Sequence, residues 1–196
     1  MRRDEIEEFH HLCHMDNLAS ILERGIFSHR SADLIEHRTI DNKDVQELRA
    51  RTDRLGNGRP VHAYACVFFH ARTPMLYAVK HRVPHEDLCV ICLDPSILDI
   101  PDTLVADGNA ATWGTRFGEP TEDTLHRLDR QLVYAEFWNQ SPEAGRIRSA
   151  EVLVPNHIPS VYITGVKVSC ASTAQRVKEL GYAIPVTVDK HMFYLT

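Results

Sequence analysis

The residue with the clearest chemical potential is Glu151, which opens the short apolar run 152–154 and is followed by Pro155. An apolar run bounded by proline predicts a buried strand. A carboxylate at the mouth of such a strand needs a partner, because an unpaired buried charge is costly. A single fixed carboxylate is also what a reaction through a sugar oxocarbenium ion requires. Glu151 is therefore the first candidate for a catalytic residue.

A second polar cluster lies far upstream and contains His10, His11, Cys13 and His14. These residue types bind zinc, but four ligands must converge on one point. On a strand, His11 and Cys13 lie on one face, and the other two histidines lie on the opposite face. Convergence would need a sharp bend, so histidines hydrogen-bonded to backbone at a strand end are the favoured interpretation. We predict no metal site.

The cysteines point to a reducing compartment rather than to disulfides, because there are five of them, scattered along the chain. Cys89 and Cys92 match C-x-x-C in spacing, but they lie in an apolar strand pattern where positions three apart face opposite ways. Motifs for metalloproteases, P-loop nucleotide binding, Rossmann folds and serine hydrolases are absent from the sequence.

Composition is that of an ordinary globular protein, with 43% apolar and 25% charged residues among 196. This length predicts a single domain over residues 1–196. The formal charge of −5 argues against bulk electrostatic binding to duplex nucleic acid. No apolar stretch approaches the ~20 residues of a membrane span, and no signal peptide is visible. We expect a cytoplasmic monomer that is not bound to a membrane.

Many short strands and a few short helices are predicted, which is typical of an α+β fold rather than a doubly wound sheet. Predicted strands cover 9–13, 63–69, 88–93, 151–154, 161–168, 186–188 and 192–195. Predicted helices cover 18–22 with Asp16-Asn17 as N-cap and Gly25 as stop, 45–55, 75–81 after Thr73-Pro74, 121–133 capped by Thr121, and 172–180 capped by Ser172.

Five segments, in this order and spacing, resemble the DarT family of DNA ADP-ribosyltransferase toxins. The first resembles a family pattern His-x-Thr-His-x-x-Asn-Leu, with Cys13 in place of the threonine. The segments are His-Leu-Cys-His-Met-Asp-Asn-Leu at 11–18, Phe-Phe-His-Ala-Arg-Thr-Pro-Met-Leu-Tyr at 68–77, Ala-Asp-Gly-Asn-Ala-Ala at 106–111, Glu-Val-Leu-Val at 151–154 followed by Pro159, and Phe-Tyr at 193–194.

The resemblance implies a compact ADP-ribosyltransferase-like α+β fold with a central split antiparallel sheet and short helices. It implies transfer of ADP-ribose from NAD, the co-substrate, to a base in single-stranded DNA. Glu151 would hold a ribose hydroxyl and stabilise the developing positive charge. Spacing favours Arg49 as the family's catalytic arginine, with Arg51 as the alternative. A surface helix arginine pairing with Glu47 or Asp53 is the simpler interpretation of Arg49.

The resemblance also implies binding residues. The implied NAD-binding residues are His11, Cys13, His14, Asn17, Phe69, Met75 and Tyr77. The polar stretch before Glu151 offers stacking faces and phosphate contacts for DNA, in Tyr134, Trp138, Arg146 and Arg148. Trp138 is equally well explained as a core anchor under a long loop.

Three functional classes remain open. The first is modification of a base in single-stranded DNA, thymine or guanine. The second is NAD-dependent mono-ADP-ribosylation of protein or RNA on the same fold, and the third is a nucleotide-binding module without activity, which Glu151 disfavours. The family further implies a toxin paired with a macrodomain-type antitoxin that has ADP-ribosyl-hydrolase activity.

Overall fold

The computed structural model describes residues 1–51 and 58–195, except the side chain of Arg51. The strands of this part of the chain are β1 (Phe9–His14), β2 (Ile26–Phe27), β3 (Tyr64–Phe68), β4 (Leu88–Leu93), β5 (Leu104–Ala106), β6 (Phe117–Gly118), β7 (Glu151–Pro155), β8 (His157–Ile158), β9 (Ile163–Val168) and β10 (Val186–Val188). Eight of them form one sheet in the order β10-β9-β4-β1-β3-β7-β5-β6, and β2 pairs with β8 separately. Neighbouring strands in the large sheet are antiparallel, apart from the parallel pair β9 and β10.

The centre of the large sheet is apolar on both faces. All six residues of β4 are buried, and so are the first four of β7. Runs of this kind, rich in leucine, valine and isoleucine, fit strands that are covered on both sides. β1 and β3, which carry polar residues, lie between these two strands in the sheet.

The sheet is split between β1 and β3. β1 pairs with β4 at six successive positions, from Phe9 opposite Leu93 to His14 opposite Leu88. With β3 it pairs through His10 opposite Phe68 as the one registered position in the described residues. Beyond that point the two strands diverge, and no further position of β1 is registered with β3 among the described residues.

Short helices surround the sheet, and several of their N-termini are capped by side chains, although those of α1 and α8 are not. Thr73 accepts from the Leu76 N–H at the start of α4, Thr121 from Thr124 at α5, and Ser141 from Ala144 at α7. No helix in the described part of the chain has the length and apolar content needed to cross a bilayer. The helices are α1 (Leu18–Arg24), α2 (His29–Ala32), α3 (Lys43–Arg51), α4 (Pro74–Val79), α5 (Glu122–His126), α6 (Arg130–Val133), α7 (Pro142–Arg148) and α8 (Ala171–Glu179).

Three predicted elements differ in the structure. The helix predicted over 121–133 is two helices, because the Asp129 side chain accepts from the Leu132 N–H and starts α6 anew. α8 begins after Cys170 rather than after Ser172. The closing strand predicted over 192–195 is a turn, with Tyr194 at a positive φ of 58°. The helix predicted over 45–55 is observed to Arg51, and residues 52–55 lie outside the described chain.

Candidate active site

A cleft of about 570 Å³ opens where β1 and β3 diverge. One wall consists of the cleft-facing residues of the two strands, and the segment from β2 to α3 forms the other. Glu151 and Ser149 lie in its lining at the start of β7. The split in the sheet is thus the physical origin of the cleft.

Glu151 is fully buried in this cleft and holds an ion pair with Arg49. Its Oε1 atom accepts from Arg49 Nη2 at 2.5 Å and from the Ala110 N–H at 3.0 Å. The other oxygen, Oε2, has no hydrogen-bond partner among the described residues, and neither has Arg49 Nε. A buried carboxylate with one oxygen fixed and the other unused can accept a hydrogen bond from a ligand.

Arg49 comes from α3, and its side chain is 12% exposed. Burial by itself would lower the pKa of this guanidinium, but the charge of Glu151, its hydrogen bond to Arg49 and the charge of Asp41 together with smaller contributions outweigh burial and raise the pKa. Arg49 therefore stays protonated. It pairs with Glu151 across 102 positions in the sequence, so Arg49 is largely buried rather than on a helix surface, and the alternative partner Asp53 lies outside the described residues. The side chain of the alternative, Arg51, lies outside the described residues.

The turn 107–116 supplies the remaining contacts to this pair. Ala110 donates its N–H to Glu151, and Asn109 Oδ1 lies 3.4 Å from Arg49 Nη2. The same Asn109 oxygen accepts from the Ala111 N–H at 2.8 Å, which fixes its direction. Asn109 belongs to the segment 106–111 that carries the family resemblance, but its side chain received no role from sequence reasoning.

Asp107 and Arg146 clamp the base of this turn. Arg146 Nη1 donates to Asp107 Oδ1 at 2.9 Å, and Arg116 Nε donates to Asp107 Oδ2 at 2.7 Å. A Cβ atom on Gly108 would lie 2.4 Å from Arg146 Nη1, so the close approach requires glycine there. Arg146 also pairs with Glu143 and is 10% exposed. The structure therefore places Arg146 as a clamp of the turn instead of on an open DNA-facing surface.

Four of the sequence-predicted NAD-binding residues line the cleft. His11 Nδ1 lies 3.3 Å from the Cys66 carbonyl oxygen, and burial lowers the pKa of its imidazole, so it is neutral. Cys13 lies beside it on β1, and its sulfur is 3.2 Å from that of Cys89. Asn17 exchanges two hydrogen bonds of 2.8 Å with the Arg38 backbone instead of capping α1. The four lining residues are His11, Cys13, Asn17 and Met75.

The other three predicted NAD-binding residues do not reach the cleft lining. His14 is buried, and its Nδ1 accepts from the Asp16 N–H. Phe69 packs edge-on against Phe9 in the core, with ring centroids 5.0 Å apart. Tyr77 is 43% exposed. His14 and Phe69 each follow a cleft-lining residue by one position in the sequence, but their own side chains are buried outside the lining.

The comparisons with known proteins agree with this geometry. A sequence profile described as "ssDNA thymidine ADP-ribosyltransferase, DarT" matches residues 10–194. The chain belongs to the DarT family.

Relatives of this family member match over nearly the whole chain. A DNA ADP-ribosyl transferase–DNA ADP-ribosyl glycohydrolase fusion protein of Thermosipho africanus is 30% identical over 96% of this chain and 50% of its own length. A DNA ADP-ribosyl transferase of Thermus sp. is 25% identical over 94% of this chain and 95% of its own. The chain thus spans half of the fusion protein and nearly all of the Thermus one.

Solved DarT structures confirm the predicted α+β fold. Thermosipho africanus DarTG in complex with ADP-ribose superimposes with a TM-score of 0.89 at 27% identity, over 96% of this chain and 51% of that one. Thermus sp. 2.9 DarT in complex with ADP-ribosylated ssDNA superimposes with a TM-score of 0.85 at 22% identity, over 97% of each chain. The second likeness, at that identity, shows the fold alone.

The residues predicted to contact DNA lie in a packed cluster in this DarT family member. Trp138 Nε1 donates to the Tyr194 hydroxyl at 3.0 Å, which fits the core-anchor alternative. Tyr134 packs half-buried against the main core. Arg148 is 2% exposed and donates to the Val133 carbonyl and to His70 Nδ1. Burial lowers the pKa of Arg148 to about 10. None of the three lines the described cleft.

Sequence reasoning missed a histidine pair in the cleft. The rings of His29 and His62 are stacked 4.2 Å apart and nearly parallel. His29 pairs with Asp41, which raises the pKa of its imidazole, whereas burial lowers the pKa of His62. His29 falls in the stretch 28–60, whose polar composition and weak periodicity gave no signal, and His62 lies just beyond it.

His10, on the face of β1 opposite the cleft, belongs to a hydrogen-bonded network. Glu8, His10 and Cys92 offer ligand atoms within 4.8 Å of one another. His10 Nδ1, however, accepts from the Ala71 N–H, so the hydrogen of the neutral ring sits on Nε2 and is donated to Glu8 at 2.9 Å. A metal here would need the lone pair of Nε2, the atom that carries the hydrogen in this hydrogen-bonding arrangement.

Proposed function

We propose that the cleft binds NAD and transfers its ADP-ribose to a base of single-stranded DNA. The observation that carries the proposal is Glu151, buried at the floor of the cleft of a DarT family member. One of its oxygens is held by Arg49 and Ala110, and the other is without a partner among the described residues. The free oxygen is the acceptor that a ribose hydroxyl needs.

The chemistry breaks the bond between the ribose C1′ and the nicotinamide nitrogen. Nicotinamide leaves as a neutral molecule and takes the bonding electrons, so positive charge develops on the ribose. Glu151 opposes that charge from a site with little water, where an electrostatic contact is far stronger than in bulk solvent. A base nitrogen then bonds to C1′ and releases its proton.

Arg49 fixes the orientation of Glu151 and provides a positive charge for the substrate. Its Nη2 atom is committed to Glu151, which leaves Nε as a donor for a phosphate of NAD or for an oxygen of the attacked base. A planar guanidinium can serve both partners at once, whereas a lysine ammonium offers a single point charge.

The remaining cleft residues would hold the nicotinamide riboside end of NAD. His11 is neutral and donates its Nδ1 hydrogen to the Cys66 carbonyl, so its Nε2 atom can accept a hydrogen bond without adding charge next to the developing cation. Asn17 shapes the rim through its two bonds to Arg38, and Cys13 and Met75 provide apolar surface. His14, Phe69 and Tyr77 would act through packing behind these residues.

Thymine is the proposed base, since the family description names thymidine. In a thymidine, N3 is the ring nitrogen that carries a hydrogen and can be substituted. That atom lies on the Watson–Crick edge and is paired in a duplex. An unpaired strand offers it without the few kcal/mol that unpairing and unstacking cost.

The proposed biological context is a toxin whose product is removed by a partner enzyme. The Thermosipho relative is named as a fusion of a transferase with a DNA ADP-ribosyl glycohydrolase. By analogy, this chain would act with a macrodomain-type antitoxin that hydrolyses ADP-ribose from DNA.

The test uses oligonucleotides of one sequence frame, each free or annealed to its complement, with NAD and the protein. The variable position carries thymine, guanine, adenine or cytosine. Intact-mass analysis should find one ADP-ribose on the free thymine strand, and much less on its duplex. Labelled guanine would overturn the base assignment. Labelled protein or RNA, with DNA unchanged, would move the activity to the alternative transferase class.

A further inference from the structure

Trp113 is an exposed aromatic residue that the site described above leaves unused. Its side chain is 89% exposed, whereas Trp138 is tied to Tyr194 by a hydrogen bond. Single apolar residues on a surface are common, so exposure alone is weak evidence for a binding role. The stronger evidence is the position of Trp113 on the turn 107–116.

The turn that presents Trp113 is fixed by its own hydrogen bonds. Thr112 N–H and the Thr115 hydroxyl both donate to the Asn109 carbonyl, at 2.9 and 2.8 Å. At its base, Asp107 accepts from the Arg116 N–H at 2.9 Å. An indole on such a turn loses little conformational freedom when a ligand binds, which favours binding.

Trp113 lies close to the catalytic pair. The bond from Thr112 to the Asn109 carbonyl closes a β-turn, which brings these two Cα atoms within about 7 Å of each other. One further residue adds about 3.8 Å, so the Trp113 Cα is within about 11 Å of that of Asn109. Asn109 in turn touches Arg49, the partner of Glu151.

The charge near Trp113 suits a nucleic acid strand. Arg116 follows it on the same turn, and its side chain is 64% exposed although its Nε atom is bound to Asp107. In a chain with a formal charge of −5, a cation beside the cleft matters more than the overall balance. An aromatic face next to a cation is the combination with which proteins bind single strands.

We propose that Trp113 stacks on a base of the single-stranded DNA that flanks the modified base, and so forms a second subsite next to the cleft. The inference rests on the proposed function and deepens it. Stacking is tolerant of sequence, because every base has a flat face. Trp113 would therefore strengthen binding of the strand and position it, without choosing the base that is modified.

The experiment compares wild type with W113A and W113F, and with F137A as a matched control. Phe137 is also an exposed aromatic residue, 62% exposed, outside the cleft lining. We expect W113A to raise the KM for single-stranded DNA by roughly 5- to 100-fold, the range typical of a lost stacking contact. W113F should retain most of the affinity, and F137A all of it. The KM for NAD and the melting temperature should stay at their wild-type values.

A KM for DNA that is unchanged in W113A, while wild type labels DNA, would overturn the inference. An equal loss of NAD affinity or a lowered melting temperature would also overturn it, because the role would then be structural. Tryptophan fluorescence gives an independent readout, since the chain has two tryptophans and W113F retains one. Quenching by an unlabelled oligonucleotide should occur in wild type and vanish in W113F.

If wild type labels no DNA at all, the proposed function has failed, and the fluorescence titration decides about Trp113 separately. Quenching that requires Trp113 supports its contact with the strand. Quenching that is equal in wild type and W113F, or absent from both, contradicts it.

Discussion

Two arginine–carboxylate pairs lie on the two sides of the turn 107–116, and they differ in how completely they are satisfied. Asp107 uses both oxygens, because Arg116 and Arg146 donate to it with three charge-assisted or backbone bonds. In Glu151, one oxygen accepts hydrogen bonds from both Arg49 and a backbone N–H, and the other oxygen has no partner among the described residues. The same chemistry thus gives a structural clamp in one place and a site with spare binding capacity in the other.

The Glu151 oxygen that has no hydrogen bond in the described part of the chain destabilises the folded protein, and this cost is evidence for a binding role of that oxygen. A buried carboxylate oxygen without a hydrogen bond raises the free energy of the folded state, typically by about 1–3 kcal/mol or more for charged groups. Such a cost is tolerated where a ligand later supplies the missing bond. Asp107 carries no such cost, since its contacts outweigh burial and lower its pKa. The two pairs therefore respond differently to substitution.

The largest effect is expected for E151Q. The amide retains the shape of Glu151 but removes the charge that opposes the ribose cation, so turnover should fall on the order of 10²-fold or more. Labelling of a single-stranded oligonucleotide with NAD measures the loss, and the melting temperature checks the fold. Normal turnover by a folded E151Q protein would exclude Glu151 from the reaction.

R49K should be nearly as inactive as R49A. Lysine retains the positive charge but cannot hold Glu151 and a substrate oxygen through one planar group. We expect a loss on the order of 10²-fold in kcat, the order of magnitude of a lost preorganised donor. R51A is the matched control and should stay close to wild type. An inactive R51A with an active R49A would show that the second arginine is the catalytic one.

R146A should affect stability more than chemistry. Its bonds to Asp107 and Glu143 are charge-assisted, so their loss should cost about 1–3 kcal/mol of unfolding free energy. At about 2–4 °C per kcal/mol for a chain of this size, the melting temperature should fall by several degrees. Turnover should decline less than in E151Q, through a looser turn. A phosphate-contacting Arg146 would instead raise the KM for DNA and weaken its salt dependence, with an unchanged melting temperature.

The smallest effect on turnover is expected at His70, which lies outside the cleft lining and accepts a hydrogen bond from the buried Arg148, so its contribution is to stability. Burial, followed by the charge of Arg148, lowers the pKa of His70 to about 3. Because the folded value lies below the ordinary value of 6.5, His70 contributes stability above pH 6.5 that is lost as the pH falls towards 3. Denaturant unfolding of wild type and H70N between pH 7 and pH 4 measures this. Equal pH slopes for the two proteins would show that His70 is not responsible.

The sequence by itself determined the elements whose signals are local. The apolar runs 88–93 and 151–154 predicted buried strands, and Thr73-Pro74 predicted the start of a helix. The order of five motifs indicated the family. The family resemblance in turn made Glu151 and Arg49 candidate catalytic residues. The strand and helix inferences were confirmed because periodicity and capping are properties of neighbouring residues.

Only the tertiary structure decided which charged side chains are open to a ligand. Arg49, Arg146 and Arg148 have the same chemistry in sequence, and each is defined by a partner that folding brings to it: Glu151, Asp107 or a pair of neutral acceptors. The same holds for the tryptophans, since Tyr194 holds Trp138 while Trp113 stays on the surface. Burial and pairing depend on contacts between distant segments, and no local pattern encodes them.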